Sequence, residues 1–138
     1  MTENNTRILV IEDDESVRAS ICITLKAHDF EVEEAGNGEK GLWMLKRSPF
    51  DIAIIDMMMP VMDGLETIRA LKASFPSLGI LAISGGSTSA NLDFLKAASV
   101  IGATATLHKP FGGAELIRAV REVEATTLHA AQGVACPA

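Results

Sequence analysis

The sequence predicts an α/β fold, a three-layer sandwich in which a parallel five-stranded sheet lies between two layers of helices. Three observations predict it. Short apolar runs rich in β-branched residues recur along the 138 residues. Stretches with apolar residues at helical spacing separate them. Strands alternating with helices at such intervals build βα units with right-handed crossovers, which make a sheet parallel and cover both of its faces.

The first strand is Ile8 to Ile11, followed at once by Glu12-Asp13-Asp14. The first helix, Ser16 to Ala27, carries Val17, Ile21 and Leu25 at four-residue spacing, hence on one face. Phe30 to Ala35 alternates apolar with acidic residues, the pattern of a strand with one face or one edge wet. Gly36-Asn37-Gly38 marks the turn into a second helix, Glu39 to Arg47, and Pro49 ends the approach to a third strand, Ile52 to Ile55. A third helix spans Gly64 to Ser74, a fourth strand Ile80 to Ile83, and a fourth helix roughly Asn91 to Ile101. Thr104 to Leu107 is the fifth strand, and the fifth helix starts at Gly113 and ends near Ala125. Thr126 to Ala138 reads as a frayed helix end and a loose tail, which sets the domain at 1–125 and a flexible tail at 126–138.

The length suits one domain with one core, and a composition of 48% apolar and 22% charged residues is that of a globular protein. A net charge of -6 and a pI near 5.0 oppose direct nucleic-acid binding, which rests on basic side chains neutralising phosphates. No apolar run approaches the roughly 20 residues of a membrane span. The start, Met1 to Arg7, is polar and lacks the apolar stretch of a signal peptide, so no membrane insertion and a cytoplasmic location are expected. Cys22 and Cys136 read as reduced thiols, and His28, His108 and His129 have no metal-ligand spacing.

In an open parallel sheet, ligands bind beyond the carboxyl ends of the strands. There the sequence places Glu12 and Asp13 after the first strand, Asp56 after the third, Ser84 after the fourth and Lys109-Pro110 after the fifth. Carboxylates held together repel one another, and a cation among them relieves the repulsion; hard oxygen donors suit Mg²⁺. A carboxylate next to such a cation can attack a phosphoryl group, whose equatorial oxygens then need electrophiles. Mg²⁺, Lys109 and Ser84 with loop amides supply them. Each residue also has a plainer role: the acids from Glu12 to Glu15 as a helix cap, Asp56 and Ser84 as turn residues, Lys109 as a solvated lysine. Their joint placement at four strand ends is what those roles leave unexplained. Met57, Met58 and Met59 form a soft apolar patch, and Gly85-Gly86 lacks the glycine-lysine-serine/threonine ending of a phosphate-binding loop.

Four stretches resemble the receiver domains of bacterial response regulators, over about Arg7 to Val123: ILVIEDDESVR (Ile8 to Arg18), DMMMPVMDG (Asp56 to Gly64), ILAISGG ending at Gly86, and HKPF (His108 to Phe111). The resemblance implies a flavodoxin-like (βα)5 arrangement with strand order 2-1-3-4-5. It implies Asp56 as phosphoacceptor and metal ligand, Asp13 as a direct Mg²⁺ ligand, Glu12 as a ligand through water, and the backbone carbonyl of Met58 as a further ligand. Ser84 and Lys109 would bind the phosphoryl group, with a cis bond between Lys109 and Pro110. The implied partners are a histidine kinase or histidine phosphotransferase, docking near Arg18 and Ile21, and a downstream protein at the face of the fourth helix and fifth strand. Such a domain is a phosphoacceptor that catalyses its own transfer and loses the group slowly, and here it stands alone. Signalling would follow from partner binding or from passing the group on.

Two departures from the family pattern stand out. The aromatic residue usual three positions before the lysine is replaced by Thr106, and Gly85 to Ser89 give a longer, small-residue entry to the fourth helix. The expectation is a switch that reorders this loop as Ser84 moves. Met58 over the phosphoryl group would hinder water and lengthen the lifetime of the phosphoaspartate. An Asp-nucleophile phosphatase of the haloacid-dehalogenase type needs a second Asp where this chain has Met58. An interaction module independent of phosphorylation leaves the filled acidic and basic positions without a purpose.

Overall fold

Strands that are apolar on both faces need cover on both sides, and here they take the middle of the sheet. The computed structural model describes residues 6–57, 64–85 and 96–131. Its strands are β1 (Arg7–Ile11), β2 (Glu31–Ala35), β3 (Ile52–Asp56), β4 (Gly79–Ser84) and β5 (Ala105–His108). All pair in parallel, in the order β2-β1-β3-β4-β5. β3 and β4 are buried along their whole length. β2 exposes Glu31, Glu33 and Glu34, so its alternation marks an edge. Charges there discourage pairing with a further strand.

The period of two along each strand divides the core. Ile8, Val10, Ile52, Ile54, Leu81 and Ile83 face α1 (Glu15–Ala27) and α5 (Gly113–Ala131), against Ile21, Leu25, Leu116, Val120 and Val123. Leu9, Ile11, Ala53, Ile55, Ile80 and Ala82 face the other layer: α2 (Gly38–Arg47), α3 (Gly64–Ser74) and α4, the helical residues 96–101. The sheet order and the three layers match the sequence expectation. The strand borders differ by a residue or so, and the differences matter at the carboxyl ends: Asp56, Ser84 and His108 are the last residues of their strands.

Local chemistry fixes the helix ends. Asp14 caps α1 by accepting from the Val17 amide at 3.1 Å, and Asn37 caps α2 by accepting from the Lys40 amide at 2.8 Å. α1 closes on Asp29, whose φ of 68° is left-handed, a conformation that Asp tolerates. Gly102, with φ of 135°, follows α4, and a Cβ there would meet Lys72 Cγ at 2.6 Å. α5 runs to Ala131, six residues past the expected helix end near Ala125 and into the stretch read as a frayed helix end. The Thr126 hydroxyl donates to the Glu122 carbonyl one turn back, and Thr127 packs over Gly79, so the paired threonines continue the helix. The last seven residues of the expected tail lie outside the described residues.

Gly41 shows how closely α2 sits behind the first strand. Alanine favours a helix interior over glycine by up to about 1 kcal/mol. A Cβ on Gly41, however, would stand 2.5 Å from Ile11 Cδ1, and Ile11 is fully buried one residue before Glu12. Overpacking of a stiff β-branched side chain costs about 1–3 kcal/mol. Packing therefore wins, and Gly41→Ala is expected to lower stability by about 1 kcal/mol or more, measured as a fall in the urea midpoint. A raised midpoint would mean that Ile11 turns aside freely.

Candidate functional site

The carboxyl end of the sheet collects the chain's buried charges. Glu12 follows β1 at 0% exposure and Asp56 ends β3 at 4%, while Asp13 is exposed. One carboxylate oxygen from each of the three lies within 4.8 Å of the others. The Glu12 backbone stays laddered to β2 through its amide, which donates to the Ala35 carbonyl at 3.1 Å. Its side chain accepts from the Asp14 amide at 3.1 Å on one oxygen and from Lys109 Nζ at 3.0 Å on the other. Lys109 Nζ is also 3.7 Å from Asp56 Oδ2. The capping and pocket roles weighed for this acidic run are thus divided by residue. Asp14 caps α1, and Glu12 and Asp13 turn to the pocket.

The electrostatics follow from this crowding. Burial raises the Glu12 pKa above its usual value, and the hydrogen bond and negative charge of Asp56 raise it further, against the opposing pull of Lys109 and the Asp14 amide. For Lys109, burial disfavours the ammonium, but the hydrogen bond it donates to Glu12 and the charges of Asp56 and Glu12 outweigh it, and the pKa rises. Three carboxylates facing one ammonium remain short of positive charge. The donor set is all oxygen, which fits a hard divalent cation such as Mg²⁺ with water completing its shell.

Ser84 is next in line. Asp56 pairs in register with Ile83, so Ser84 stands one residue beyond Asp56 on the neighbouring strand. It is fully buried, and its Oγ has no hydrogen-bond partner among the described residues. A buried hydroxyl without a partner is a cost that a ligand at the strand ends would remove. Lys109 is held beside it, its amide donating to the Ser84 carbonyl at 2.7 Å, and the Lys109-Pro110 peptide is cis. Thr106 is exposed on β5. Met58, with its carbonyl, and most of the loop entering the fourth helix, including Gly86 to Ser89, lie outside the described residues.

Sequence reading missed two residues. His108, taken as an unremarkable histidine, pairs in register with Ser84, and its Nε2 is buried without a partner among the described residues. Only the strand register, which brings two ends together, could have revealed it. Arg18, read as a docking residue, is engaged internally: Nε donates to Glu34 Oε1 at 2.9 Å and Nη1 to the Glu12 carbonyl at 2.8 Å. Ile21 is likewise 2% exposed, a core residue. Beside the pocket, between α1 and the segment after β5, opens a cavity of about 660 Å³, lined by Val17, Ser20, Gly85, Lys109, Pro110 and Phe111 among others.

A five-stranded parallel sheet of this order, with an acid cluster and a lysine at its carboxyl ends, defines a receiver-type module. Known proteins agree. The family model described as the response regulator receiver domain matches residues 8–121. Response regulator MprA of Mycobacterium leprae (strain TN) is 37% identical over 116 residues, 83% of this chain and 49% of that protein. Cell cycle response regulator CtrA of Brucella ovis is 33% identical over 128 residues, 93% of this chain and 54% of that protein. The solved structure of chemotaxis protein CheY4 of Vibrio cholerae has a TM-score of 0.78 and 30% identity, covering 86% of this chain and 98% of that one. The chain belongs to the response regulator receiver domain family and so to two-component signal transduction. It spans about half the length of the curated relatives it matches. Among the described residues no helix is long and apolar enough to cross a membrane.

Proposed function

We propose that this domain takes a phosphoryl group on Asp56 from a phosphohistidine of a histidine kinase or histidine phosphotransferase, in a Mg²⁺-dependent reaction that the domain itself catalyses. The observation that carries the reading is Lys109 Nζ, 3.0 Å from Glu12 and 3.7 Å from Asp56 across a pocket whose three acids lie within 4.8 Å. An Asp56 carboxylate oxygen attacks phosphorus, the P–N bond to the donor imidazole breaks, and its electron pair leaves with the imidazole. Bound among Glu12, Asp13 and Asp56, Mg²⁺ supplies the charge that lets an anion approach a carboxylate. Lys109 draws one phosphoryl oxygen, and Ser84 Oγ, buried without a partner, donates to another.

The donor docks over the cavity beside α1, whose lining includes Val17, Ser20, Ile21 and Phe111 but not Arg18. A downstream protein, reached through the face of α4 and β5, receives the signal. No substrate turns over, so the domain acts as a phosphoacceptor and not as an enzyme. Incubation with acetyl phosphate and Mg²⁺, read by intact mass, tests the reading. The wild type is expected to gain one phosphoryl group and Asp56→Asn none. Absence of added mass on the wild type, or equal mass on the variant, rejects it.

A further inference from the structure

Arg18 has a task inside the molecule that neither docking nor core packing describes. Its side chain is 18% exposed. The guanidinium spans two elements, donating through Nε to Glu34 Oε1 on β2 at 2.9 Å and through Nη1 to the carbonyl oxygen of Glu12 at 2.8 Å. Its own amide donates to the Asp14 carbonyl at 2.9 Å, which fixes the first turn of α1 on which it rides. The Glu12 carbonyl belongs to the peptide that leads into Asp13, the exposed acid of the cluster. The Glu12 amide is already held by Ala35 and the Glu12 carboxylate by Asp14 and Lys109. The carbonyl is the remaining polar group of Glu12, and Arg18 closes it.

We infer that Arg18 is a positioning residue for the cation site: bridged between Glu34 and the Glu12 carbonyl, it sets the plane of the Glu12-Asp13 peptide and so aims the Asp13 carboxylate. The inference rests on the proposed Mg²⁺ site and adds a residue that touches neither metal nor phosphoryl group. The physics supplies a sign that separates it from a charge effect. A guanidinium near a bound dication repels it, so loss of the charge alone tightens Mg²⁺ binding. Loss of the bridge frees the peptide to turn and spreads the acids, which weakens binding. Residues that orient metal ligands are commonly worth about tenfold or more in metal affinity, and the orienting effect wins. Lysine keeps the charge but offers a point donor in place of a planar fork, so it does not span both acceptors.

Calorimetric titration of the full chain with MgCl₂, on protein shown folded by circular dichroism, reads the outcome. Arg18→Ala is expected to bind Mg²⁺ about tenfold more weakly. Arg18→Lys falls by a similar factor, and Glu34→Gln shows a smaller loss that adds nothing to Arg18→Ala in the double variant, because Glu34 acts through Arg18. Phosphorylation by acetyl phosphate then shows a higher Mg²⁺ requirement with the rate at saturating Mg²⁺ little changed. Unchanged or tighter Mg²⁺ binding in Arg18→Ala, or wild-type affinity in Arg18→Lys, overturns the inference while the phosphoacceptor reading stands. No Mg²⁺ binding by the wild type removes both. A wild type that binds Mg²⁺ with this Arg18 dependence but takes no phosphoryl group keeps the inference and removes the reading.

Discussion

Lys109→Met is expected to slow phosphoryl uptake from acetyl phosphate by about a hundredfold or more at saturating Mg²⁺, the scale set by removing one preorganised donor from a transition state. Methionine keeps the length of the side chain and removes its charge. In the wild type the ammonium reaches Glu12 and Asp56, and Arg18, the other cation bound to Glu12, is spent on its carbonyl and on Glu34. Nothing nearby replaces Lys109. The same change leaves Glu12 buried without its cation, which is expected to cost about 3 kcal/mol of stability. The raised Lys109 pKa fixes the sign of the pH dependence. A lysine held above its ordinary 10.5 contributes stability that is complete below that value and lost as pH rises through the folded pKa. It stays an ammonium throughout a neutral assay, so the variant's defect is the same at each pH tested. Time courses by intact mass, with circular dichroism as the folding control, read the result. Uptake within a few fold of the wild type would show that the ammonium does not act in the transition state.

The layers were legible because burial on both faces leaves a plain mark, while the strand order came from the family resemblance. Ile52 to Ile55 and Ile80 to Ile83 are unbroken apolar runs, and they became the sheet's interior. Glu31 and Glu33 alternate with Phe30 and Val32, and with Glu34 they are exposed because β2 is an edge strand. The acids and the lysine of the pocket were legible for a related reason: each follows its strand directly, so strand ends alone bring them together. The end of α5 was not, because Thr126 and Thr127 look like helix breakers until Thr127 is seen against Gly79, a contact more than forty positions distant in the chain. The roles of Arg18 and His108 were hidden likewise. One depends on a carbonyl, which no side-chain pattern announces, and the other on a register between strands.

Mg²⁺ is expected to reverse the effect of pH on the stability of this domain. With EDTA present, the Glu12 pKa, raised above its ordinary 4.5 by burial and by Asp56, means that the folded state binds this proton more tightly than the unfolded chain. Such a group contributes stability that is complete below 4.5 and lost as pH rises through the folded value. The metal-free domain therefore loses stability from Glu12 as pH rises above 4.5 and through the raised folded value. Mg²⁺ requires the deprotonated acids and has its site only in the folded state, so its contribution runs the other way. At a hundred times its dissociation constant it adds about 2.7 kcal/mol, and that increment grows with pH as protons cease to compete. Glu12→Gln should abolish most of the decline in EDTA, since glutamine stays neutral at every pH, and should retain part of the Mg²⁺ increment through Asp13 and Asp56. Asp56→Asn should lose most of the increment, because it removes a buried carboxylate that the family likeness makes a direct ligand. Urea unfolding of the wild type and both variants from about pH 5 to about pH 8, with EDTA or with MgCl₂, measures all six curves. A Mg²⁺ increment that is the same at both ends of that range, or present undiminished in Asp56→Asn, would place the cation elsewhere on the molecule.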